Sequence, residues 1–184
     1  MDEKDLRAVT IGEPTPLSGK IELADYDPAW PALFDLAAAR IRAALGDRVL
    51  LLEHVGSTSV PGLAAKPRVD ILLAVADSSA EPAYIPWLEA TGYSLRIREP
   101  HWHEHRMLVR HDLAEPAENL HVFSLGCPEI DRMLRFRNWL RTHDDDRDLY
   151  ARTKRDLARR DWQYTQEYAD AKTAVVEEIL ARAR

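Results

Sequence analysis

The chain has 184 residues, the size of one domain, and a domain of that length buries roughly 70% of the surface its unfolded chain would expose, so no staple is needed to hold a core. An apolar fraction of 46% with 30% charged residues excludes a disordered or fibrous class. A net charge of -6 argues against a protein whose task is to coat DNA or RNA, while leaving room for a local basic pocket.

The single cysteine, Cys127, can form no internal disulfide, and no zinc-finger spacing of Cys and His is present. The start MDEKDLRAVT lacks the basic n-region of a signal peptide, and no apolar run approaches the ~20 residues of a membrane span. A cytoplasmic protein with no membrane partner is expected.

In chain order, residues 1–20 carry IGEPTPLSGK and read as an extended arm with little packing of its own, so the domain is expected over 21–184. Asp27 reads as a helix N-cap with Pro28 at the first helical position. Trp30, Leu33, Phe34, Ala37, Ala38, Ile41 and Leu45 then share a 3.6-residue stripe that ends at Gly46. RVLLLEHV (48–55) and VDILLAV (69–75) are short apolar runs that predict buried strands. A helix over 81–91 stops at Gly92, and strands are expected over 93–99, 105–111 and 119–125. Helices follow over 128–143 and over 146–183, the latter as one long or two abutting segments. The order predicts an α/β or α+β domain in which a mixed sheet carries the site and C-terminal helices cap it.

Four groups of residues carry chemistry. His54-Val55-Gly56-Ser57-Thr58-Ser59 brings a strand into a Gly-Ser turn, whose backbone N–H groups can face an anion; most such turns are only turns. In the anion reading, a side chain at Gly56 would fill the space a phosphate needs. Asp70 opens an apolar strand, and a buried carboxylate demands a partner: a metal, or a cation such as Lys66 or Arg68. As a metal ligand its loss would spare the apo protein; as an ion-pair partner its loss would cost on the order of 3–5 kcal/mol. Arg137 falls inside the apolar face of the helix PEIDRMLRFRNWLRTH and needs an acid, such as Asp70, or a phosphate. His101, His103 and His105 alternate in HWHEH, a strand spacing that can share one metal, yet His105 could equally be a core residue and His101 and His103 read as unspecialised; His121 lies on an interior strand beside Asn119.

The segment EHVGSTSVPGLAAKPRVDILLAV, with EHRMLV, NLHVFSL, FRNWLRTH and YTQEYADAKTAVVEEIL, resembles the GrpB family over about residues 20 to 182. The resemblance implies a nucleotidyltransferase-like fold, with Gly56 and Ser57 at the nucleotide-binding turn and Asp70 as the first metal-binding acid. Enzymes of that superfamily usually pair the acid with a second two residues on, where this chain has Leu72. GrpB-like domains also occur fused to dephospho-CoA kinase, yet the kinase P-loop pattern is absent here. The function expected on these grounds is a nucleotide-binding protein, a Mg²⁺-dependent nucleotidyltransferase or related bacterial transferase. Gly56, Ser57, Thr58, Ser59, Lys66, Arg106 and Arg137 would hold phosphates, Asp70 would hold Mg²⁺, and His121 would act as a metal ligand or acid/base. The alternative is a noncatalytic module for a nucleotide- or CoA-type ligand. No residue pattern fixes the acceptor or the oligomeric state.

Overall fold

The computed structural model describes residues 2–111 and 116–183. Helix α1 (Glu3–Val9) precedes α2 (Trp30–Leu45), and the sheet follows as β1 (Leu51–Val55), β2 (Arg68–Val75), β3 (Ser94–Glu99), β4 (His105–Arg110) and β5 (Ala117–Ser124). The short α3 (Ile85–Glu89) lies between β2 and β3. After the sheet come α4 (Pro128–Thr142), α5 (Asp144–Ala158), α6 (Thr165–Ala171) and α7 (Thr173–Arg182). The strands form one sheet in the order β1-β2-β5-β4-β3, with β2 and β5 parallel and the other pairs antiparallel. This is the expected mixed α+β sheet with a helical C-terminal part. None of the described helices is long and apolar enough to cross a membrane.

Alternation along the strands assigns each face a task. Val69, Ile71, Leu73, Leu108, Leu120 and Val122 point to one side, where Ala37, Ala38, Ile41 and Leu45 of α2 and Leu88 of α3 complete the main core. Leu72, Ala74 and Phe123 point to the other side and pack under Ile130 of α4. Asp70, Asn119 and His121 share this second face. Val60, Leu63, Leu140, Tyr150, Ala151, Val175 and Ile179 bind α4, α5 and α7 to the loop after β1.

Four local expectations change. The Asp27 carboxylate accepts from the Ala29 N–H at 2.8 Å, so Pro28 belongs to a turn and the helix begins at Trp30. Pro82 and Pro86 split the segment over 81–91 into a single 3-10 turn (Glu81–Ala83) and α3, since proline removes a helical donor. The C-terminal stretch is three helices, because the Glu167 carboxylate accepts from the Gln163 and Tyr164 N–H groups and starts α6 afresh. The N-terminal segment contains a helix capped by Asp2, with Leu6 buried, and Ile11 donates its N–H to the Arg96 carbonyl at 2.8 Å. It lies against the edge of β3 instead of extending freely.

Candidate functional site

The register Val55↔Asp70 brings the exit of β1 beside the start of β2. There Gly56, at φ 69° and ψ -171°, turns the chain into a 3-10 turn over Ser57–Ser59. Only glycine readily adopts that backbone region. The space beside its Cα is filled by the Asp70 side chain, whose Cβ lies 2.9 Å from where a Cβ on Gly56 would stand. Glycine is therefore required by Asp70, and the space expected for a phosphate at this atom belongs to the carboxylate.

Asp70 accepts from Asn119 Nδ2 at 2.8 Å and faces His121 Nε2 at 3.9 Å. Burial opposes its charge, but His121, Asn119 and Lys66 together outweigh that and hold its carboxyl below the usual carboxylate range. Arg68 donates to Asn119 Oδ1 at 2.8 Å, locking the amide so that its NH₂ faces Asp70.

Lysines from three segments converge on this carboxylate. Lys154 of α5 is 2% exposed, donates to Ser57 Oγ at 2.9 Å and to the Ala64 carbonyl, and lies over the Tyr150 ring. Burial, with the charges of Lys172 and Arg155, pushes its ammonium down to about 7. Burial and Lys172 push Lys66 down to about 8, and burial lowers Lys172 as well. Asp70 works against all three shifts, so it is a counter-charge the lysines share. The amines of Lys66 and Lys172 lie 5.7 and 4.6 Å from the centre of the Tyr168 ring. Among the described residues, the buried side-chain polar atom without a hydrogen-bond partner is the Tyr168 hydroxyl.

These groups line a cleft of about 850 Å³ between the sheet, the N-terminal segment and α6. Gly56, Ser57, Thr58, Lys66, Asp70 and His121 all contribute to it. Ser59 and the two arginines are placed elsewhere. The Ser59 hydroxyl is turned back onto the Gly56 carbonyl at 2.6 Å. Arg106 pairs with Val122, on the α2 side of the sheet, and bonds Glu81 at 2.6 Å and Glu104 at 3.2 Å. Period two allows no other placement while Met107 faces the cleft. Arg137 donates to Glu53 Oε2 and to the His54 carbonyl, each at 2.7 Å, so its partner acid is Glu53 and not Asp70. Arg137→Met should therefore leave phosphate affinity unchanged and lower stability by about 1–3 kcal/mol through the orphaned carbonyl and carboxylate, as urea melts would measure.

Sequence reasoning missed Lys154, Lys172 and Tyr168. Lys154 carried a legible signal: it interrupts the seam of Tyr150, Ala151, Leu157 and Ala158, where a lysine has no apolar reason to be. Lys172 enters the cleft through the break between α6 and α7, which helical periodicity does not show.

The donors do not suit a resident Mg²⁺. Among the described residues no group of three or more His, Cys, Asp or Glu is placed to hold a metal. Asp70 supplies one carboxylate, already bonded to Asn119 and facing three lysines, whereas Mg²⁺ needs an oxygen-rich, negative surrounding.

The sequence model of the GrpB protein family matches residues 20–182. A UPF0157 protein of Halalkalibacterium halodurans is 57% identical over 98% of this chain and 91% of its own. A dephospho-CoA kinase of Mycolicibacterium paratuberculosis is 31% identical over 76% of this chain and 40% of its own. The crystal structure of the conserved protein GrpB from Enterococcus faecalis superposes with a TM-score of 0.77 at 30% identity, covering 88% of this chain and 96% of that one. Fold, extent of match and shared sequence agree: the chain belongs to the GrpB family.

Proposed function

We propose that the cleft binds the phosphate groups of a nucleotide- or CoA-type small molecule. The observation that carries this reading is the gathering of Lys66, Lys154 and Lys172 with Asp70 in the lining of one cleft. The three amines repel one another, and that repulsion is relieved when an anion sits between them. The Ser57 hydroxyl adds a polar contact, and Tyr168, whose hydroxyl folding leaves without a partner, contributes to the lining. A cleft of about 850 Å³ falls in the range of small-molecule sites. A segment resembling this chain also forms part of a protein named dephospho-CoA kinase, which agrees with a ligand of this class.

Nucleotidyl transfer is a second reading, favoured by His121 and Asp70 standing beside the lysines. In that case Mg²⁺ would arrive on the nucleotide, and hours of incubation with Mg²⁺ and a nucleoside triphosphate would consume it.

Calorimetric titration with pyrophosphate, ADP and CoA at low salt tests the binding reading. At least one should bind, and Lys172→Met should weaken it by about tenfold, or ~1.4 kcal/mol, without loss of folding. Absence of heat with all three, or an affinity indifferent to Lys172→Met, would overturn it.

A further inference from the structure

The strongest unassigned cluster is a line of side chains leading from the end of β3 into the cleft. Glu99 Oε2 lies 2.7 Å from His105 Nδ1, and His105 Nε2 lies 3.1 Å from His121 Nδ1. The far nitrogen of His121, Nε2, faces Asp70 Oδ1 at 3.9 Å, and His121 lines the cleft. The register Glu99↔His105 places the carboxylate over its histidine across the hairpin. His105 is 5% exposed, its ring packed between Phe123 and the edge of Trp102.

The bonding order follows from donor counting. A carboxylate accepts and does not donate, so the Glu99 contact puts the His105 proton on Nδ1. Packed between Phe123 and Trp102 and almost wholly buried, the His105 ring favours its neutral form, so it carries one proton. Its Nε2 is then a lone pair, and the 3.1 Å contact is made only if His121 donates from Nδ1. We infer that Glu99 and His105 are positioning residues that hold His121 in its Nδ1–H tautomer, leaving His121 Nε2 as the proton acceptor of the cleft. The proton comes from an O–H of a hydroxyl or water bound beside Asp70. The O–H bond breaks, its electron pair stays on oxygen, and the new Nε2–H faces the Asp70 carboxylate, which stabilises the imidazolium. The same arrangement, run backwards, returns the proton.

This inference deepens the cleft reading, and its test is free of ligand so that the two can fail separately. Long-range ¹H–¹⁵N spectra of the full chain labelled on histidine nitrogens, recorded at pH 8, read the tautomer directly. In the wild type, His121 should show a protonated Nδ1 and a bare, pyridine-type Nε2. His105→Phe keeps the aromatic packing and removes the acceptor, so His121 should lose the Nδ1–H preference. Glu99→Met, which leaves His105 in place, should do the same. A wild-type His121 protonated on Nε2 would overturn the inference without any variant, as would a tautomer unmoved by both substitutions.

Discussion

Gly56→Val is expected to destabilise the fold as well as the cleft. The backbone at φ 69° and ψ -171° costs a non-glycine residue about 1–3 kcal/mol. A Cβ there would stand 2.9 Å from the Asp70 Cβ and 3.0 Å from its Cγ, so the carboxylate must leave its place. Overpacking of this kind costs about 1–3 kcal/mol more. The sum, about 2–6 kcal/mol, is a large part of a domain's whole stability and should lower the melting temperature by roughly 5–20 °C. The displaced carboxylate would also upset the lysines it offsets, so any folded fraction should bind phosphate with altered affinity. A variant that melts with the wild type would show that Asp70 yields freely, which the packing at Gly56 contradicts.

Asp70→Asn should move stability and affinity in opposite directions. The side chain is the counter-charge common to Lys66, Lys154 and Lys172, and about 3–5 kcal/mol, the cost of breaking a direct buried ion pair, bounds the loss from above. Asp70 keeps 29% of its side chain exposed, so solvent screens part of the loss and about 1–3 kcal/mol is expected. For an incoming phosphate the carboxylate is a like charge. Its removal should therefore raise affinity for pyrophosphate or ADP, without Mg²⁺, by up to about tenfold. Urea melts and calorimetry on the same preparation check both signs. A variant of unchanged apo stability that loses Mg²⁺-dependent nucleotide stabilisation would instead restore Asp70 as a metal ligand.

The sheet was legible because its strands are apolar runs bounded by turns. VDILLAV, for instance, can be buried on both faces only as an inner strand, and it is β2, second in the sheet. The break at Tyr164 was not legible, since tyrosine is an unusual N-cap and the signal lay in Glu167 reaching back to two N–H groups. Within the site, Gly56, Ser57, Asp70 and His121 could be brought together from the turn and strand pattern, because register places them as neighbours. Arg106 was grouped with them by charge, and Arg137 by its place inside the apolar face of its helix. Strand alternation puts Arg106 on the opposite face, and Glu53, half-exposed and unremarked in the sequence, takes Arg137. Lys154, on α5, and Lys172, at the break between α6 and α7, are distant in sequence, and no local pattern links them to a glycine turn near residue 56.

The lysine cluster also ties binding to protons. With Lys154 near 7 and Lys66 near 8, both are partly neutral at pH 8 in the free protein. A bound phosphate favours their charged forms and raises both values, so binding takes up protons and affinity falls as pH rises above about 7. Calorimetric titration of ADP or pyrophosphate at pH 8, repeated in buffers of different ionisation enthalpy, counts those protons. The expected result is binding with net proton uptake, reduced in Lys154→Met; binding with no uptake, or no binding in any buffer, would contradict the assignment of this cleft to a phosphate-bearing ligand.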